Sequence, residues 1–118
     1  MVALYLIPNP LRLRESLALA AEYGARLEYN DFYAPALLND PEAAARRVEL
    51  YLAQARDRSG DMLHGAFFDV TVHSEDPRIR RVSEERVLQS LSVARALGIR
   101  GVVFHTGTIP NFISESYE

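Results

Sequence analysis

Two of the three histidines stand in matching places. His64 closes the apolar run Met62-Leu63, and His105 closes Gly101-Val102-Val103-Phe104. Each has a glycine within two residues, Gly65 and Gly107, which lets a ligand approach the backbone. Neutral imidazole is the commonest metal ligand, and near pH 7 it also serves as a general acid or base. If the two runs are neighbouring strands, their backbones lie about 4.8 Å apart. Two imidazoles at one level can then share a divalent ion at about 2.0–2.1 Å per bond, or grip one substrate. A catalytic ion needs more than two protein ligands, so carboxylates must come from elsewhere. Glu28 is the local candidate. In Arg26-Leu27-Glu28-Tyr29-Asn30, strand alternation puts Glu28 and Asn30 on one face and Leu27 and Tyr29 on the other. A salt bridge to an arginine is the competing role for Glu28.

The remaining polar groups read as structural. Asp31 and Asp69 sit where turn-forming carboxylates belong, and His73 falls in the loop before a long helix. Arg78, Arg80 and Arg81 cluster at that helix's start, as a solvated face rather than a phosphate clamp. Phe32, Tyr33 and Ala34-Pro35 are expected to wall a small apolar pocket. The chain has no Gly-x-Ser-x-Gly elbow, no Gly-x-Gly-x-x-Gly loop and no His-Glu-x-x-His. Serine hydrolase, dinucleotide oxidoreductase and zincin chemistry thus lose their usual supports.

Positioning these groups falls to a regular alternation of elements. Strands are expected over 2–7, 26–30, 62–68 and 101–105; the first, third and fourth are largely apolar runs, as in strands buried on both faces, and 26–30 alternates. Helices are expected over 11–23, 41–58 and 77–97. Asp40-Pro41-Glu42 and Glu75-Asp76-Pro77 are start signals, while Gly24 and Gly98 are stops. Apolar faces follow from helical spacing: Leu13, Leu17, Ala20 and Ala21; then Ala44, Val48, Tyr51, Leu52 and Ala55; then Val87, Leu88, Leu91, Ala94 and Leu97. The segment 113–118 reads as the opening of a further helix. The order β-α-β-α-β-α-β defines an α/β fold with a parallel sheet, in one domain over 1–118. An eight-stranded barrel runs to about 250 residues, so this chain corresponds to its first half.

Composition narrows the function further. The 118 residues carry 13 basic and 16 acidic groups, a formal charge of −3, which argues against a nucleic-acid partner. Every basic residue is arginine, which removes lysine Schiff-base chemistry and the P-loop lysine. With no cysteine, thiol nucleophiles and Cys-ligated zinc are excluded. The run Val2 to Ile7 is too short for a signal h-region or a membrane span, so a cytoplasmic protein is expected.

Four segments then carry a resemblance. Leu63-His64-Gly65-Ala66-Phe67, Asp76-Pro77-Arg78-Ile79-Arg80, Ala94-Arg95-Ala96-Leu97-Gly98 and Val102-Val103-Phe104-His105-Thr106-Gly107 follow in order. Across essentially its whole length the chain resembles the amino-terminal half of xylose isomerase-like TIM barrels. That superfamily holds sugar phosphate isomerases and epimerases together with AP endonuclease family 2 enzymes. The resemblance implies a (βα)8 barrel with a divalent metal (zinc, manganese or magnesium) at its C-terminal mouth. In the endonuclease branch, histidines ending the third and fourth strands bind zinc, and His64 and His105 match them. In the epimerase branch, positions like Glu28 and His64 line the sugar pocket, and the ligands come from strands five to eight. The sequence departs from the usual His-Gly-Pro-Phe pattern by placing Ala66 where proline is common.

The leading expectation is a sugar or sugar phosphate isomerase or epimerase-like half-barrel, moving a proton next to a carbonyl. His64 and His105 are its metal ligands or substrate hydrogen-bonders, Glu28 its catalytic carboxylate, and Glu28, Asn30 and Phe67 its substrate contacts. With strands five to eight lying outside this chain, it is expected to be incomplete as a catalyst by itself. The alternatives are an endonuclease-like zinc phosphodiesterase and a non-catalytic half-barrel that self-associates through open sheet edges.

Overall fold

The computed structural model describes residues 2–105. The chain runs β1 (Tyr5–Leu6), a 3-10 turn (Pro10–Arg12), α1 (Leu13–Glu22), β2 (Arg26–Tyr29), α2 (Pro35–Leu38), α3 (Pro41–Leu52), β3 (Met62–His64), α4 (Pro77–Leu97) and β4 (Gly101–Val103). The strands form one sheet in the order β1-β2-β3-β4, with every neighbouring pair parallel. This is an α/β fold with the strand order of half a (βα)8 barrel. The helix opening expected at 113–118 lies outside the described residues. No helix among the described residues is long and apolar enough to cross a membrane.

The start and stop signals act through identifiable bonds. Asp40 accepts the Ala43 N–H at 2.9 Å and Asp76 accepts the Arg78 N–H at 2.8 Å, each just before a first-turn proline. Gly24 and Gly98 adopt left-handed φ values of 61° and 71°. Behind them Ala25 N–H reaches Ala20 O at 2.8 Å and Ile99 N–H reaches Ala94 O at 2.9 Å. These bonds reverse the chain after α1 and α4 and deliver it directly into β2 and β4.

Several expected boundaries are corrected. β1 pairs only over Tyr5–Leu6, and Val2, Leu4 and Ile7 are exposed, because an edge strand has one neighbour rather than two. β3 and β4 end at His64 and Val103, before the expected 68 and 105. α3 stops at Leu52 rather than 58: the Arg58 guanidinium folds back onto the carbonyls of Tyr51 and Gln54. A cation there complements the negative helix end. The α2 turn falls where a loop is expected, with Pro35 at its first position. Phe32 is fully buried in the core against Tyr51 and is no pocket wall.

α4 is turned relative to the expected stripe. It buries Ser83, Ser90, Val93, Ala94 and Leu97, whereas Leu88 and Leu91 are exposed. Ala21, Leu52 and Ala55 likewise face outward. The core lies between the helices and one sheet face, where Leu27, Tyr29 and Leu63 meet Leu13, Ala20, Phe32, Tyr51, Val93, Ala94, Leu97 and Ile99.

One buried carboxylate ties β2 to the turn before β3. Asp61, 3% exposed, accepts Leu27 N–H at 2.9 Å and Tyr29 O–H at 3.0 Å and pairs with Arg56. Such a charge is tolerated only because both of its oxygens meet donors. Burial, and then the Asp61 charge, push the Tyr29 phenol up to about 12 from its ordinary 10. Burial and Asp31 raise Tyr51 in the same direction.

A phenol raised in the folded state favours folding fully below its unfolded value and loses that contribution as pH rises through its folded value. Unfolding free energy from urea titrations is therefore expected to fall between pH 10 and about 12, with Tyr29→Phe flattening part of the fall. An unchanged alkaline profile in Tyr29→Phe would contradict the assignment.

Candidate functional site

The pairing of β3 with β4 sets Leu63 beside Val102 and His64 beside Val103. Alternation then turns His64, Val103 and His105 to the sheet face opposite the helix-packed Leu63. His64 is half-buried and His105 exposed. Their Nε2 atoms lie 3.1 Å apart, with ring centroids at 4.9 Å and planes near perpendicular at 79°. The two histidines singled out by spacing therefore meet at the C-terminal ends of adjacent strands.

The protons can be assigned from the partners. His64 Nδ1 lies 3.0 Å from Gly65 O, and a carbonyl only accepts, so Nδ1 carries the hydrogen. With both rings neutral, the His64 Nε2 lone pair then accepts from His105 Nε2–H in the 3.1 Å contact. An Nδ1–H bonded to a carbonyl is also the usual support of an imidazole that binds metal through Nε2.

Whether the pair suits an ion follows from the same distance. With bonds of about 2.0–2.1 Å, two ligand nitrogens stand about 2.9 Å apart at an octahedral ion and about 3.4 Å apart at a tetrahedral one. The observed 3.1 Å lies between these limits. The two histidines thus fit as part of a ligand set. Among the described residues no group of three His, Asp or Glu side chains completes it.

Aromatic rings surround the pair. Phe67 stacks on His105 with centroids at 4.8 Å and 19° between planes, and meets His64 edge-on at 4.8 Å. Tyr33 in turn stacks on Phe67 at 5.0 Å and 18°. Phe68 closes against both. Of the residues expected to wall an apolar pocket, Tyr33 takes part and Phe32 does not, and Phe67, expected as a substrate contact, supplies the second ring.

No hydrogen bond or ion pair among the described residues joins the other candidates to the histidines. Glu28 is half-buried on β2, and its register partner is Met62, while the His64–Val103 pair lies two residues further along β3. Among the described residues it forms no salt bridge, so the competing arginine role is not taken up there. Asn30 follows directly after the Tyr29–Leu63 pair, and its Oδ1 is buried without a partner among the described residues. Asp31 is structural, paired with Arg47 and accepting the Tyr51 hydroxyl at 3.0 Å. His73 is exposed, as expected. Arg78 pairs with Asp76, and Arg80 donates to the carbonyls of Ser74 and Glu75, so neither forms a phosphate clamp.

The sequence reading misses Ser83 and Ser90. Both are fully buried on α4, where Ser90 Oγ accepts Ala66 N–H at 2.9 Å and Ser83 Oγ accepts Thr71 N–H at 2.8 Å. Their seven-residue spacing on the face of Leu97 is the available signal. Serines read as solvated helix positions when only apolar residues are counted.

No protein-family model matches the chain, and no curated protein matches it. Its fold is similar to a solved structure of the TTHB071 protein from Thermus thermophilus, after soaking with ZnCl2, at a TM-score of 0.62 and 24% identity. The match covers 97% of this chain and 44% of that one, so the chain spans less than half of its neighbour's length. At this identity the likeness concerns the fold.

Gly65 holds the pair in register by having no side chain. A Cβ there would lie 2.3 Å from the Phe104 ring, while its N–H bonds Val103 O at 2.8 Å. Gly65→Ala is expected to displace Phe104, and with it the adjoining His105, at about 1–3 kcal/mol in urea denaturation. Wild-type stability and unmoved histidine resonances in that variant would refute this role.

Proposed function

We propose that this chain forms the first half of a sugar or sugar phosphate isomerase or epimerase-like barrel that uses a divalent ion. The observation that carries the reading is the His64–His105 pair at 3.1 Å, set against the stacked rings of Tyr33 and Phe67. The parent reaction is proton transfer next to a carbonyl. His64, oriented by Gly65 O, presents Nε2 to the ion or to a substrate hydroxyl, and His105 is the second imidazole ligand. The ion, when bound, supplies a Lewis acid for the substrate oxygens.

Phe67 and Tyr33 offer flat apolar faces to the C–H side of a sugar and exclude water from one side of the pair. Asn30 Oδ1, buried and unpartnered among the described residues, suits a substrate hydroxyl donor. Glu28 is the carboxylate of this face and the candidate to carry the proton. The remaining carboxylates belong to the strands of the second half. The 44% coverage of the neighbouring fold supports the division into halves.

The zinc phosphodiesterase reading draws on the same nitrogen–nitrogen distance, which suits an ion shared by strand three and strand four. It is weakened by the net charge of −3 and by the engagement of Arg78 and Arg80 in local contacts. Calorimetric titration with zinc and manganese separates binding from its absence. We expect stoichiometric binding by the 118-residue chain, lost in both His64→Ala and His105→Ala. Weak binding indifferent to both substitutions would exclude a site in this half. Salt-sensitive DNA binding, with no binding of sugars, would move the assignment to the phosphodiesterase.

The self-associating reading draws on the two sheet edges. β1 and β4 are unpaired on their outer sides among the described residues, and Leu4, Ile7 and Val103 are exposed on or beside them. Sedimentation velocity is expected to give a concentration-dependent dimer of this chain. A monomer across the whole range would end that reading and leave the metal site untouched.

A further inference from the structure

The ring that stacks on His105 is not on a strand. Phe67 belongs to the segment 65–76 between β3 and α4, and that segment is tied to α4 at two points. Just before Phe67, the Ala66 N–H bonds the fully buried Ser90 Oγ, whose own hydrogen goes to Arg86 O at 2.9 Å. Beyond Phe67, the Thr71 N–H bonds the fully buried Ser83 Oγ. Between the two ties lies Asp69, whose φ of 58° marks the sharp reversal of the segment. The serines stand seven positions apart on the helix, a rise of about 10.5 Å along α4. The helix thus spaces the two ends of the turn that presents Phe67.

We propose that Ser90 and Ser83 are positioning residues of the histidine site, which fix the turn carrying Phe67 and so hold its ring stacked on His105. The inference rests on reading that pair as the functional site. Its physical basis is that the buried Ala66 N–H must be paired and the part-buried Thr71 N–H gains by pairing, so each serine gives the segment a low-energy seat on the helix. Small side chains are also what let the backbone lie against α4 there. A leucine at either place would separate the two, and an alanine would leave an amide without its acceptor. The serines touch neither histidine in any described contact, so their effect on the site passes through Phe67.

The test is proton NMR of the imidazole signals in the metal-free chain, where ring current from the stacked Phe67 moves the His105 ring protons upfield. Phe67→Leu defines the unstacked position. In Ser90→Ala the His105 signals are expected to move downfield toward that position, and Ser83→Ala to follow in the same direction. In a Phe67→Leu background, Ser90→Ala is expected to leave them in place, because the coupled pair acts as one unit. Ser90→Cys, of similar size with a weaker acceptor, stands in where the alanine variant does not fold. Leu13→Ala, a core truncation on α1, is the control: it lowers stability and leaves the His105 signals unmoved. Unmoved His105 signals in the serine variants, or an equal movement with and without Phe67, would overturn the proposal. Zinc added afterwards reports separately: wild-type protein indifferent to zinc fails the metal reading while the serine result stands.

Discussion

The hydrogen-bonded pairing of β3 with β4 is the constraint on which the site depends. Side chains alternate along a strand, so a slip of one residue in either strand would turn one histidine into the helix-packed core. The observed register sets Leu63 beside Val102 and His64 beside Val103, and Gly65 N–H continues the ladder to Val103 O at 2.8 Å. Two residues past that pair, His105 meets His64. Bonds remote from the chemistry enforce this register. The left-handed Gly98 delivers the chain from α4 straight into β4, and Asp61 fixes the start of β3 against β2.

The two faces of the sheet divide the work. One face carries Leu27, Tyr29, Leu63 and the helices packed on them, and there the apolar area removed from water supplies the driving force for folding. The other carries Glu28, His64, Val103 and His105, none of them fully buried. Because strand neighbours alternate between faces, a chemistry-bearing residue is flanked in sequence by one that anchors it in the core. Glu28 lies between Leu27 and Tyr29, and His64 follows Leu63. The immobility of the core is thereby transmitted to the polar face through single backbone units, which is how a short chain holds two imidazoles at a defined distance.

Much of this is legible in the sequence, and the exceptions share a cause. The strand alternation, the two proline-led helix starts, both glycine stops and the meeting of His64 with His105 follow from local patterns. Each of those signals is satisfied within a few residues, or by the one pairing that a βαβ unit enforces. The errors arise mainly where a polar contact replaces an apolar one. α3 ends at Leu52 because Arg58 reaches back to its last carbonyls, and no glycine or proline announces that. α4 is turned because Ser83 and Ser90 face inward to receive loop amides, which leaves Leu88 and Leu91 outside. β1 is shorter than its apolar run because sequence hydrophobicity cannot tell an edge strand from a central one. Alternation puts Glu28 on the correct face, but its level on β2 depends on register, and the register sets it beside Met62.

Ala66 shows how the turn is restrained. A proline in its place would have no N–H to give. Ala66 has one, and the fully buried Ser90 accepts it at 2.9 Å. A proline restrains the segment through its own fixed φ, whereas here the restraint comes from outside, through a hydroxyl on the helix. Residue 66 and residue 90 therefore form one device, and the geometry of the aromatic wall depends on α4 as well as on the strand that bears His64. A substitution at either end changes the other's environment, since the amide needs its acceptor and the hydroxyl has no second amide beside it among the described bonds. The site is thus a joint property of a strand end, a pinned turn and the small polar side chains of a helix face.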